Sequence, residues 1–178
     1  VVECSRSTGL ADIAPVLYRN TSIKTLDLSN NGLGDIESAN MLRERNKTIT
    51  SLCIDSNTFG RDAAAARSIF EGLRSNAALQ QLDLRGCGLG DQDQFGGRGF
   101  LALAESLPKM KGLQQINLVA NGSFRSTLPL LLEGFRKNTS LVEVNLQCGG
   151  KQVNGDWYQE IKLSGHRNRF APLLKASD

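Results

Sequence analysis

The chain has 178 residues, 40% of them hydrophobic and 22% charged, enough to bury one continuous core. Its net charge of +3 and pI of about 8.8 are too mild for a nucleic-acid binder, and the basic residues do not gather into one patch of sequence. No apolar run approaches the roughly 18 residues of a membrane span, and no secretory leader is visible.

Val1 to Ser7 reads as the remnant of a truncated repeat. The chain begins without Met, so it is expected to be a piece of something longer. Cys4 precedes Asn31 by one repeat length and is expected to take the turn role that Asn31 has. Leu10, Ile13, Ala14 and Leu17 then follow helical spacing.

The first full motif is Ile23, Leu26, Leu28, Asn31, Leu33, in the pattern L-x-x-L-x-L-x-x-N-x-L. In Thr25-Leu26-Asp27-Leu28-Ser29, apolar and polar residues alternate, the period of a half-buried strand. Leu26 and Leu28 point inward, and Thr25, Asp27 and Ser29 outward. Asn31 turns the chain away, its amide bonding backbone groups otherwise left buried and unpaired. A weak helical pattern follows on Ile36, Ala39 and Leu42.

The motif returns as Ile49, Leu52, Ile54, Asn57, Phe59, followed by a helix on Ala63, Ala66, Phe70 and Leu73. It returns again as Leu79, Leu82, Leu84, Cys87, Leu89, where the Cys87 thiol substitutes only weakly for the amide. Residues 91–99 form a polar, glycine-rich loop without a phosphate-loop lysine or dinucleotide glycine spacing. It reads as a tolerated insertion, with partner contact as a second reading. A helix on Phe100, Leu103, Ala104 and Leu107 leads to Leu113, Ile116, Leu118, Asn121, then a helix on Leu128, Leu131, Leu132 and Phe135. The last copy is Leu141, Val144, Leu146, with Gly149 at the Asn place. Successive motifs begin 26, 30, 34 and 28 residues apart.

After Leu146 the repeat decays. Gly149-Gly150-Lys151 is expected to open a loop, and Trp157 to cover the last core face; His166 reads as solvent-exposed. The expected organisation is a single domain, with residues 1–7 the remnant, 8–149 the repeats and 150–178 the cap. Asn20, Asn46, Asn76 and Asn138 each stand three residues before a motif and are read as left-handed helix ends. Asn20, Asn46, Asn121 and Asn138 also open glycosylation sequons, read as coincidental because these residues already have structural roles.

Five ordered copies mark a leucine-rich repeat array whose strands stack as a parallel sheet. The runs Leu26-Asp27-Leu28-Ser29-Asn30-Asn31-Gly32-Leu33 and Leu82-Asp83-Leu84-Arg85-Gly86-Cys87-Gly88-Leu89 resemble the ribonuclease-inhibitor-like class. That resemblance implies an α/β solenoid, a right-handed βα superhelix curved into a horseshoe with a parallel inner sheet and outer helices. It also implies an intracellular protein. Members of the class include enzyme inhibitors, innate-immune sensors, actin-regulating proteins and GTPase-activating proteins for Ran. The irregular spacing departs from ribonuclease inhibitor itself, so that activity is not carried over.

Outward residues of successive strands should fall into three rows: Thr25, Ser51, Gln81, Gln115, Glu143; then Asp27, Cys53, Asp83, Asn117, Asn145; then Ser29, Asp55, Arg85, Val119, Gln147. Four acids and one base face outward there, over roughly 19 Å at the usual strand spacing. The expectation is a protein-interaction module or scaffold that binds a basic segment of another protein on the concave face. Its binding residues would be Thr25, Asp27, Ser29, Ser51, Asp55, Gln81, Asp83, Arg85, Gln115, Asn117, Glu143, Asn145 and Gln147. One alternative is a GTPase-activating protein of the Ran type using Arg85 or Arg98; another is a repeat fragment of a larger sensor with no activity alone. No catalytic constellation, cofactor motif or metal spacing is legible, so the chain reads as no enzyme. Nucleic acid and membrane are not expected partners. Cys4, Cys53, Cys87 and Cys148 lack disulfide or zinc spacing, which fits a cytoplasmic protein with free thiols.

Overall fold

A computed structural model of the chain describes residues 2–3, 20–34, 47–90, 97–123, 126–148 and 151–153. Its strands are β1 (Val2–Glu3), β2 (Thr25–Asp27), β3 (Ser51–Cys53), β4 (Gln81–Asp83), β5 (Gln115–Asn117), β6 (Glu143–Cys148) and β7 (Lys151–Val153). Its helices are α1 (Ala63–Leu73), α2 (Arg98–Ser106) and α3 (Leu128–Lys137). The strands lie in sequence order, β1 to β6 parallel, and α1, α2 and α3 link β3 to β4, β4 to β5 and β5 to β6 through the opposite layer. Together they form an α/β leucine-rich repeat solenoid.

Register follows the motif spacing: Thr25 pairs with Ser51, Ser51 with Gln81, Gln81 with Gln115 and Gln115 with Glu143. Each central strand residue, Leu26, Leu52, Leu82, Ile116 and Val144, is buried. Behind them lie Ile69, Phe70, Phe100, Leu103, Leu131 and Phe135 from the helices. The helices stack α1 on α2 on α3, so the three repeats that begin at β3, β4 and β5 each contribute one strand and one helix to a single layered core.

Every repeat must also dispose of the polar backbone in its turns. Asn57 does so through its amide: Nδ2 donates to the Leu28, Ile54 and, at 3.2 Å, Asp55 carbonyls, and Oδ1 accepts from the Asn31 and Leu33 amides. Asn121 repeats the pattern with Leu84, Leu118, Cys87 and Leu89. Both side chains are buried, and each joins its own repeat to the preceding one.

The structure changes three expectations. The sheet has a sixth parallel strand, because Val2 pairs with Leu26 and Glu3 with Asp27. Lys151 belongs to β7, antiparallel to β6, because Cys148 pairs with Lys151 and leaves only Gly149 and Gly150 between. Asn138 is an extended residue (φ −75°, ψ 128°), not a left-handed helix end, and Asn76 does not have positive φ either. Their amide oxygens accept from the following backbone: Asn20 from Ser22 and Ile23, Asn76 from Ala78, Asn138 from Ser140 and Leu141. Asn76 and Asn138 also donate to the preceding repeat, at the carbonyls of Ile49 and of Leu107 and Met110. These asparagines start strands.

Several expectations lie outside the described residues: the helical patterns at 10–17 and 36–42, Cys4, Asn46, the loop at 91–96, Trp157 and His166.

Candidate functional site

The first two rows form on the sheet face that points away from the core. Thr25, Ser51, Gln81, Gln115 and Glu143 are aligned by strand pairing, as are Asp27, Cys53, Asp83, Asn117 and Asn145. All ten are half-buried or exposed, since alternation turns their neighbours inward.

The third row is less uniform. Ser29, Asp55, Arg85 and Val119 stand just past their strands, in turns. The ladder nevertheless continues through them: the Asn30, Ser56 and Gly86 amides donate to the carbonyls of Asp55, Arg85 and Val119. Gln147 differs, because it stands within the six-residue β6 and pairs with Gln152. Arg85 and Arg98 sit on separate elements, the first after β4 and the second opening α2; both are exposed.

Sequence reasoning treated the second-row acids as free to bind. The structure gives each a local task. Oδ1 of Asp27 accepts from the Ser29 amide at 2.8 Å, Oδ1 of Asp83 from the Arg85 amide at 2.9 Å, and Oδ1 of Asn117 from the Val119 amide at 3.2 Å. These are Asx turns, and they explain why Asp or Asn closes the strand. The signal was present: an Asp or Asn at the last strand position, two residues before the turn. Asn117 also donates to Oδ2 of Asp83 at 3.1 Å, and Asn145 to Oε1 of Glu143 at 3.2 Å.

Cys53 is the exception in that row, and it was not among the candidate site residues. Its thiol donates to Oδ1 of Asp55 at 3.0 Å. Burial, the bond to Asp55 and the charges of Asp55 and Asp27 push the thiol up to about 12. Donor atoms of Asp27, Cys53 and Asp55 lie within 4.8 Å of one another. A thiol binds metal as thiolate, the form this setting disfavours. The cluster is accounted for as a hydrogen-bonded group.

A family model described as leucine-rich repeat matches residues 19–36 and 75–93. Among solved structures, the chain is similar to Leiomodin-1 Actin-Binding Site 2, at 26% identity and a TM-score of 0.51. That match covers 76% of this chain and 80% of the other. It is also similar to the leucine-rich repeat-containing protein LegL7 from Legionella pneumophila, at 15% identity and a TM-score of 0.51. There 89% of this chain matches 60% of the other, and the likeness bears on the fold alone.

Proposed function

Because this chain is a leucine-rich repeat protein, we propose that its outward sheet face is a protein-interaction surface that takes a basic segment of a partner. One observation carries the reading. Asp27, Asp55, Asp83 and Glu143 project from the sheet face among polar neighbours, with Arg85 the single base in the three rows. Opposite charge on a partner would act mainly on association rate and specificity. The matched leiomodin structure is an actin-binding site by its description, which supports protein binding by this kind of solenoid.

The reading extends to a single repeat domain without enzymatic activity and to a cytoplasmic location. The free thiols of Cys53 and Cys87 support the location. Among the described residues, no helix is long and apolar enough to cross a membrane.

The Asx turns dictate the test. Lysine at Asp27 or Asp83 would destroy a turn bond together with the charge, whereas Asn keeps the accepting oxygen. An Asp27→Asn, Asp83→Asn double variant should keep its helical spectrum and bind an oligolysine peptide about three- to ten-fold more weakly at low salt. Equal affinity of the variant and the parent chain, titrated by fluorescence anisotropy, would overturn the proposal.

A further inference from the structure

The sequence disperses its basic residues, but the solenoid collects them. Five described segments lead into the strands β2 to β6: residues 20–24, 47–50, 74–80, 107–114 and 136–142. They contain seven lysines and arginines and no carboxylate. The residues just before the strands, Lys24, Thr50, Gln80, Gln114 and Val142, are hydrogen-bonded backbone to backbone one to the next, so these segments gather the cations along one edge of the solenoid, next to the acidic sheet face.

A simpler cause covers part of the file. Cations at helix C-termini complement the helix dipole, and this accounts for Arg74 at the end of α1, Lys109 in the 3-10 turn after α2, and Arg136 and Lys137 closing α3. The last two are also held by Glu133, at 2.7 and 3.3 Å. That cause does not reach Lys24 and Lys111, and the residues before Lys47 lie outside the described ones. Lys24 immediately precedes β2, and its carbonyl accepts from the Thr50 and Ser51 amides. Lys47 precedes Thr48, whose hydroxyl donates to the Ile23 carbonyl. Lys111 lies beyond the 3-10 turn. All three are exposed, and none forms an ion pair among the described residues.

We propose that this helix-to-strand edge is a second docking surface, which takes an acidic polypeptide segment. It lies apart from the sheet-face reading and does not depend on it. Charge complementarity sets the sign of the partner, and the setting favours a polypeptide over a phosphate polymer or a bilayer. The cations come one or two per repeat, between exposed amides and hydroxyls at Ser22, Gln80, Gln114 and Thr139 that can bond a peptide backbone. Val142, 52% exposed, adds an apolar contact at the same edge. No aromatic ring, the usual stacking platform for bases, is present in the five segments.

The test titrates the full chain with an oligoglutamate peptide, phosphatidylserine vesicles and duplex RNA at two salt concentrations. The chain should bind oligoglutamate in preference to the other two, more weakly at high salt. The Lys24→Glu, Lys47→Glu, Lys109→Glu, Lys111→Glu variant should lose at least about ten-fold in affinity. The matching Gln variant should lose less, and circular dichroism should show both folded. Asp27→Asn with Asp83→Asn should leave oligoglutamate binding intact, which separates this surface from the sheet face. Unchanged affinity in the Glu variant, absence of oligoglutamate binding, or preference for vesicles or RNA would overturn the proposal.

Discussion

The Cys87 thiol donates to the Ile54 carbonyl over 3.1 Å, the place where Asn57 donates to Leu28 and Asn121 to Leu84. The thiol thus reproduces the link to the preceding repeat, but it has no amide oxygen with which to accept two further bonds.

This difference predicts unequal costs at equivalent positions. Asn121→Ala strands two carbonyls and two amides in buried turns and should cost about 3–5 kcal/mol, at 1–3 kcal/mol per unsatisfied group with partial relief by water, and Asn57→Ala slightly less, because the Ile54 carbonyl keeps the Cys87 thiol. Cys87→Ala loses one weak donor and little volume, so about 1–2 kcal/mol is expected. Urea midpoints of the three variants check the order; a Cys87→Ala loss as large as that of Asn121→Ala would contradict it.

A second prediction concerns the residue before the turn Asn. Asn30, Ser56, Gly86 and Ala120 are equivalent by register, and all have positive φ, from 54° to 63°. Ala120, at 59°, tolerates this region poorly, since its Cβ crowds the carbonyl. Ala120→Gly should therefore stabilise the chain by up to about 1 kcal/mol, and Gly86→Ala destabilise it by a similar amount. Thermal melts with shifts of opposite sign are the expected outcome.

Asn30 and Gly86 advertise that conformation in sequence, whereas Ser56 and Ala120 do not. Only the repeat register reveals them. The strand rows were legible because a two-residue alternation and a recurring motif fix both face and neighbour. The asparagines at 76 and 138 were placed correctly but explained wrongly. Asn serves a left-handed helix end and an Asx turn equally well, and the choice depends on carbonyls about one repeat earlier in the chain, such as Ile49 for Asn76. The basic edge was illegible for a related reason: its members, from Lys24 to Lys137, become neighbours only through the solenoid. Sequence patterning reports local conformation well and contacts between repeats poorly.

Helix spacing yields a third prediction. At Gly134 on α3, a Cβ would lie 2.7 Å from the Ala104 carbonyl oxygen and 3.1 Å from its Cα, both rigid backbone of α2. Gly134→Ala must push the two helices apart, outweighing the better helix propensity of Ala. A loss of about 1–3 kcal/mol is expected, against little change for Glu133→Ala on the exposed side of the same helix, where the ion pairs with Arg136 and Lys137 are surface contacts. Chemical denaturation of both variants decides this.

The last prediction follows from the two free thiols. Burial is the main cause that pushes both Cys53 and Cys87 up to about 12, while an unfolded-chain thiol titrates near 8.5. Above that pH the unfolded state has released protons that the folded state still holds, so rising pH favours unfolding. The stability associated with these thiols is fully present below about pH 8.5 and is lost progressively as pH climbs towards 12. The urea midpoint should therefore fall between pH 7 and pH 10, and fall less in a Cys53→Ser, Cys87→Ser variant compared with itself at the two pH values. The same shift keeps both sulfurs protonated at pH 8, so each should react with iodoacetamide on the order of ten-fold or more slowly than a thiol in an unfolded peptide. Rapid alkylation of Cys53 in the native chain, read by peptide mass mapping, would show that its proton is not held against Asp55.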